Sequence, residues 1–299
     1  MDQKYRNQVQ LLLSVIPEVA KESCFALHGG TAINLFIHNM PRLSVDIDLT
    51  YTPIEDRETT LININASLDM IKQNISHYIP ASNVQHNASS GKLLVSNASA
   101  SIKIEVNLVA RGTIEPSETM ILCEKAQEDF DTFCEMRVVH TGQLYGGKIC
   151  AALDRQHPRD LFDIKKLFNT TGINQDIKAG FLLSLLSTNR PAYEILNPNL
   201  LDQSETYENH FVGMATEEFS YNDFEITREQ LITQITELLT ETDKKFLLSF
   251  HDLGPSWDTY NFQHFPAIKW KLQNLSTLKE KNPEKFNEQI NKLNDTLCS

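Results

Sequence analysis

The sequence predicts a two-part α/β protein of α+β character: a domain with a mixed sheet over residues 1–140, then a mainly helical domain over residues 141–299. Three observations carry this. The first half alternates stretches of helical period with stretches of period two. The strand-like runs 45–51 and 101–110 put apolar side chains on one face and polar ones on the other. From Gln143 onward apolar stripes recur at helical spacing, and the pattern changes over 138–141. At 299 residues the chain exceeds what one simple core comfortably holds, in agreement with two parts.

The elements follow in order. Val9, Leu12, Leu13 and Ile16 repeat at helical spacing, and Pro17 is expected to end or kink that helix. The apolar run 24–27 stops at Gly29-Gly30, as a strand does on entering a tight turn. Thr31 can cap a short helix over 32–38. A strand over 45–51 precedes a helix over 55–76, striped by Leu61, Ile64, Leu68 and Ile71. Strands at 92–95 and 101–110 are joined through the turn-prone Ser-Asn-Ala-Ser. The helical half carries stripes at 144–153, 161–168, 177–186 and 231–239. Pro191, Pro198 and the polar stretch 203–210 read as a loop within it, and the charged tail from Lys279 reads as a solvated helix end.

Composition narrows the function classes. A net charge of −12 argues against a protein that grips long duplexes by their phosphates, while leaving room for a local basic patch on a compact RNA end or for a basic protein partner. The densest apolar run, 181–186, is far too short to span a membrane, and residues 1–21 read as an amphipathic helix rather than a signal peptide. Five scattered cysteines without Cys-x-x-Cys spacing suggest reduced thiols in a cytoplasmic protein.

Chemistry concentrates in two places. Strand alternation sends Asp46 and Asp48 to one face and Val45, Ile47 and Leu49 to the other, a short distance after the Gly-Gly turn. Most Asp-x-Asp pairs are ordinary solvent-facing acids. This pair sits on an otherwise apolar strand, where carboxylates are costly unless they hold a cation. Glu105, on the polar face of the 101–110 strand with Lys103 and Asn107, is a candidate third carboxylate. Oxygen ligands beside an anion-binding turn suit Mg2+ or Mn2+ and a nucleoside triphosphate. The second place is 148–163. Leu144, Lys148, Ala151 and Arg155 fall on one helical face, Pro158 suits the start of the next helix, and Asp160 and Asp163 share a face of it. A solvated helix pair with local ion pairs is the plain alternative. Lys148, set among Gly147, Ile149, Ala151 and Ala152, reads instead as a partly enclosed ammonium suited to a triphosphate. His28 reads as a hydrogen-bonded structural histidine, and Trp257 and Trp270 as core packing rather than base-stacking platforms.

The ordered set His28-Gly-Gly-Thr-Ala, Arg42-x-Ser-x-Asp-Ile-Asp, Lys103-Ile-Glu-Val and Lys148-x-x-Ala-Ala-Leu-x-Arg-x-x-x-Arg-Asp-x-x-Asp resembles the AbiEii/AbiGii toxin family of DNA polymerase β-like nucleotidyltransferases. The stretches Phe246-Leu-Leu-Ser-Phe and Pro266-Ala-Ile-Lys-Trp-Lys-Leu resemble its closing segment, so the likeness covers about residues 25–275. It implies a polymerase β-like nucleotidyltransferase domain followed by a helical domain that closes over the nucleotide. It implies that Gly30 and Thr31, with Gly29 in the same turn, cradle phosphates, and that Asp46, Asp48 and Glu105 are the catalytic, metal-holding acids. Glu105 stands where such enzymes usually carry Asp. The resemblance further assigns Arg42, Ser44 and Lys148 to the nucleotide, and Asp160 to positioning there. The implied reaction is transfer of a nucleotide from an NTP to an acceptor hydroxyl, the 3′ end of tRNA, by the toxin of a toxin–antitoxin pair with a separately encoded antitoxin. Two other readings stay open: nucleotidylation of a protein or small molecule, and a nucleotide-binding protein that acts without catalysis through a partner. Label appearing on protein would favour the first. NTP binding without pyrophosphate release would favour the second.

Overall fold

A computed structural model describes residues 3–298, which divide into two compact units: 3–140 with Glu208–Phe219, and Thr141–Tyr207 with 220–298. The first unit runs α1 (Gln3–Ala20), β1 (Phe25–His28), α2 (Gly29–Ala32) continuing into a π-helical turn (Ile33–Ile37), β2 (Asp46–Tyr51), α3 (Arg57–Tyr78), β3 (Asn83–Asn87), β4 (Lys92–Ser96), β5 (Ser101–Asn107), β6 (Glu118–Ile121), α4 (Glu124–Phe130) and β7 (Glu135–Val138). Its seven strands form one mixed sheet in the order β3-β4-β5-β2-β1-β7-β6. The pairs β1–β7 and β2–β5 are parallel and the rest antiparallel. Apolar positions of the central strands, including Phe25, Leu27, Ile47, Leu49, Ile104 and Val106, are buried. This leaves the polar face of β2 and β5 for chemistry.

Several elements depart from the sequence reading. Helix α1 does not end at Pro17 but continues to Ala20, because Ile16 and Val19 on either side are wholly buried and their packing outweighs the lost hydrogen bond. The helix after the Gly-Gly turn begins at Gly29, so Thr31 lies inside it rather than capping it. Strand β5 ends at Asn107, whose Oδ1 accepts from the N–H groups of Val109 and Ala110 at 3.0 and 2.9 Å and turns the chain. Strands β3, β6 and β7 and helix α4 had no clear sequence signal. Finally, segment 208–219 returns from far along the chain. Leu43 N–H donates to the Met214 carbonyl and Thr216 N–H to the Pro41 carbonyl, each at 2.9 Å, and Phe211, Met214 and Phe219 are buried.

The second unit is helical: α5 (Thr141–Arg155), α6 (Pro158–Asn169), α7 (Gln175–Ser187), α8 (Ala192–Leu196), α9 (Ser204–His210, ending in the returning segment), α10 (Tyr221–Leu238), α11 (Glu241–His251), α12 (Pro266–Lys281) and α13 (Pro283–Cys298). Helices α5 and α7 meet backbone to backbone, since a Cβ added to Gly146 would stand 2.1 Å from the carbonyl carbon of Gly180. The stretch read as a loop over 203–210 holds α9, whose start is fixed by Ser204 N–H donating to Asp202 Oδ1 at 2.9 Å. The tail is more than a solvated end: Phe286, Leu293 and Leu297 of α13 are buried. No helix of the described residues is long and apolar enough to cross a membrane.

Candidate active site

Strand pairing brings the polar residues of the first unit into rows. In the antiparallel β1–β2 pair His28 lies opposite Asp48, and in the parallel β2–β5 pair Asp48 lies beside Glu105 and Asp46 beside Lys103. Lys92 of β4 lies opposite Glu105. One face of the sheet therefore carries His28, Asp48, Glu105 and Lys92 in one row, with Asp46 and Lys103 in the next. Asp46 and Asp48 are half-buried, while Ile47 between them is wholly buried. The alternation expected of this strand is thus present.

The Gly-Gly turn is shaped around these acids. Gly29 adopts φ +71°, and a Cβ there would stand 2.5 Å from Asp48 Oδ2, so only glycine lets the carboxylate approach the turn. A Cβ on Gly30 would stand 2.8 Å from a terminal nitrogen of Arg42 and 3.1 Å from Ser44 Oγ. Thr31 is buried; its hydroxyl donates to the Asp46 carbonyl at 2.5 Å and lies 2.9 Å from Ser44 Oγ. The side chains of Thr31, Ser44 and Arg42, the last only 2% exposed, therefore tie the turn to the start of β2. Asn34, one turn along, donates to the Gly30 carbonyl at 2.9 Å. The pairing of 41–43 with 214–216 holds the Arg42–Ser44 loop from its other side.

Glu105 is engaged differently. Its two carboxylate oxygens each take a lysine, Lys92 and Lys103, at 2.8 Å. Burial pushes its carboxyl up, but hydrogen bonds from Lys103 and Lys92 outweigh that and hold it below the usual carboxylate range. Lys103 is raised by its hydrogen bond to Glu105 and by the negative field of Asp46, Glu105 and Asp48, against the opposing effect of burial. Among the described residues no group of three or more His, Cys, Asp or Glu side chains is arranged to hold a metal ion. Two half-buried carboxylates on one face still fit Mg2+, which is commonly held by one or two protein acids with substrate phosphates and water completing its shell. Lys92 and Lys103 escaped the sequence reading as site residues. Lys103 was visible two positions before Glu105, whereas Lys92 is brought in by the β4–β5 hairpin register.

The second constellation is a buried charge cluster within the helical unit. Lys148, 6% exposed, contacts Asp160 at 2.8 Å and Asp163 at 3.0 Å. Arg155 adds two bonds to Asp160, from Nε at 2.5 Å and from a terminal nitrogen at 3.0 Å. Burial raises the Asp160 carboxyl, but Lys148 and Arg155 outweigh it and leave it well below the usual range. The enclosure read for Lys148 is present, and so is the shared face of Asp160 and Asp163. Of the tryptophans, Trp257 packs edge-on against Phe246 and Phe250, whereas Trp270 is 49% exposed and so is not core.

A family model described as nucleotidyl transferase AbiEii toxin, type IV toxin–antitoxin system, matches residues 10–274. Among solved structures the chain is similar to MenT4, a nucleotidyltransferase toxin from Mycobacterium tuberculosis H37Rv. That match has a TM-score of 0.64 and 14% identity, and covers 91% of this chain and 93% of that one. No curated protein sequence matches the chain.

Proposed function

The chain belongs to the AbiEii family of nucleotidyl transferase toxins of type IV toxin–antitoxin systems, and on that footing we propose that it transfers a nucleotide from an NTP to the 3′ end of tRNA, in the cytoplasm. The observation that carries the reading is the pair Asp46 and Asp48 on one face of β2, packed against a glycine that must lack a side chain for Asp48 to fit. Asp46 and Asp48 would hold a divalent cation, Mg2+ or Mn2+, which supplies charge neutralisation at the reacting phosphate and the leaving pyrophosphate. Gly29, Gly30 and Thr31 form the phosphate-facing turn; by general rule the first N–H groups of a helical segment lack an intrahelical partner and are suited to anionic oxygens. Arg42 and Ser44 brace that turn, and the buried guanidinium adds positive potential behind it.

Glu105 enters the proposal as the third carboxylate, adjacent in register to Asp48. Lys92 and Lys103 each cover one of its carboxylate oxygens, so departure of either lysine exposes an anionic oxygen beside Asp48. Lys148 and Asp160 stay among the proposed nucleotide-binding residues, with Asp160 setting the position of the lysine ammonium. The partner implied by the family is an antitoxin protein. Incubation of purified protein with labelled NTP and total tRNA tests the acceptor. Label on RNA is expected; label on protein with RNA left unlabelled would overturn the tRNA assignment while leaving nucleotidyl transfer intact.

A further inference from the structure

Within the helical unit, a cavity of about 370 Å³ lies among residues 189–194, the end of α11, and helices α12 and α13. Pockets of roughly 300–1,000 Å³ are the usual size for small-molecule sites. Two lining side chains are chemically incomplete. Lys271 is 8% exposed, and its ammonium donates only to neutral carbonyls, those of Thr188 at 2.7 Å and Arg190 at 3.1 Å. No carboxylate pairs with it among the described residues, and burial pulls its pKa down to about 8. A buried cation without a counter-ion is costly, and an anion entering the cavity would relieve that cost.

His251 is 6% exposed, and its Nδ1 lies 2.8 Å from the Leu247 carbonyl. A carbonyl only accepts, so Nδ1 carries the proton. Burial holds the ring's pKa down to about 4, so the ring is neutral near pH 7 and Nε2 is an acceptor. Nε2 is buried with no hydrogen-bond partner. The acid on the cavity wall, Glu194, is already taken up by Arg190 at 3.0 and 3.2 Å, whereas Lys285 brings a second ammonium to the lining. The lining thus includes a cation lacking an anion and a histidine whose acceptor nitrogen, just beneath the surface, lacks a donor.

We propose that this cavity is a binding site for a small hydroxylated phosphate, with anionic oxygens on Lys271 and an O–H donated to His251 Nε2. Hydrogen phosphate carries both groups itself; a phosphomonoester of a small polyol carries them on its phosphate and its hydroxyls. Sulfate matches phosphate in shape but has no proton to donate at neutral pH, so it separates this site from simple anion binding.

Calorimetric titration of the full chain with inorganic phosphate, glycerol 3-phosphate and sulfate tests the proposal, with the His251 ring nitrogens followed by NMR to locate the binding. At pH 7 at least one of the two phosphates should bind about tenfold or more tighter than sulfate and shift the His251 signals. Tighter binding of inorganic phosphate identifies the free ion as the ligand class, and tighter binding of glycerol 3-phosphate identifies an ester. His251→Phe should remove the preference over sulfate, and Lys271→Met should weaken all three anions. Asp48→Ala should leave the preference intact. Sulfate binding as tightly as the better of the two phosphates, binding of neither phosphate, or a preference that survives His251→Phe would each overturn the site. The wild-type comparison and His251→Phe decide the matter even if Lys271→Met does not fold.

Discussion

Gly29 is the residue on which the site's geometry turns most sharply. Its φ of +71° disfavours any other residue, and a Cβ would meet Asp48 Oδ2 at 2.5 Å. Gly29→Ala should therefore cost about 1–3 kcal/mol of stability from backbone strain. It should lower nucleotide transfer by about a hundredfold, more than that strain alone implies, because a displaced Asp48 is misplaced for its ligand. Chemical denaturation and a transfer assay on the same preparation would separate the two effects. Much of this site was readable from residue types. Alternation alone set Asp46 and Asp48 on one face, and two adjacent glycines marked the turn. The roles of neighbouring side chains were not readable. Whether Thr31 caps a helix or anchors β2 depends on where Ser44 and the Asp46 carbonyl lie in space. Whether Glu105 stands free or between two lysines depends on strand register, which the local sequence does not encode.

At the level of elements, the helical unit rests on two contacts of opposite character. Helices α5 and α7 touch through glycines, so Gly146→Ala should destabilise the protein by about 3 kcal/mol or more by overpacking, measured as a fall in the denaturation midpoint. The α5–α6 pair is joined by the buried Lys148, Asp160 and Asp163 cluster. Asp160→Asn should cost about 3–5 kcal/mol near neutral pH, since it removes one partner from a buried charged group. Its pH dependence has a definite sign. A carboxyl depressed in the folded state contributes fully above its unfolded pKa of about 3.9, and that contribution fades as pH falls toward the folded value. The gap between wild type and Asp160→Asn should accordingly narrow below about pH 4 in urea titrations at stepped pH. Long, striped elements such as α3, α5, α6 and α7 were legible because packing follows their period. Strand β3, Asn-Val-Gln-His-Asn, was hidden because it is a mostly polar edge strand with one buried residue, Val84. Strands β6 and β7 are four residues each, too short for alternation to register. The tail helix α13 was misread because three buried residues among sixteen look like a solvated face until their partners are known.

At the level of the whole molecule, what sequence could not supply is long-range return. Residues 214–216 pair with 41–43 across more than half the chain, and nothing local in either segment announces the other. Charge, by contrast, is a whole-chain property that reads directly. With 39 acidic residues against 27 Lys and Arg, cations for an RNA partner must be grouped locally, and Lys92 and Lys103 stand in the rows of Asp48 and Asp46, where they balance Glu105. The Asp46–Asp48 strand is the proposed centre of nucleotidyl transfer. The most direct measurement is NTP-dependent labelling of tRNA, with pyrophosphate release, by wild type and by Asp48→Asn, with circular dichroism and melting of both compared. An unchanged fold and a loss of about a thousandfold or more in both reaction products are expected of Asp48→Asn. A folded Asp48→Asn protein that labels RNA within about tenfold of wild type would contradict it.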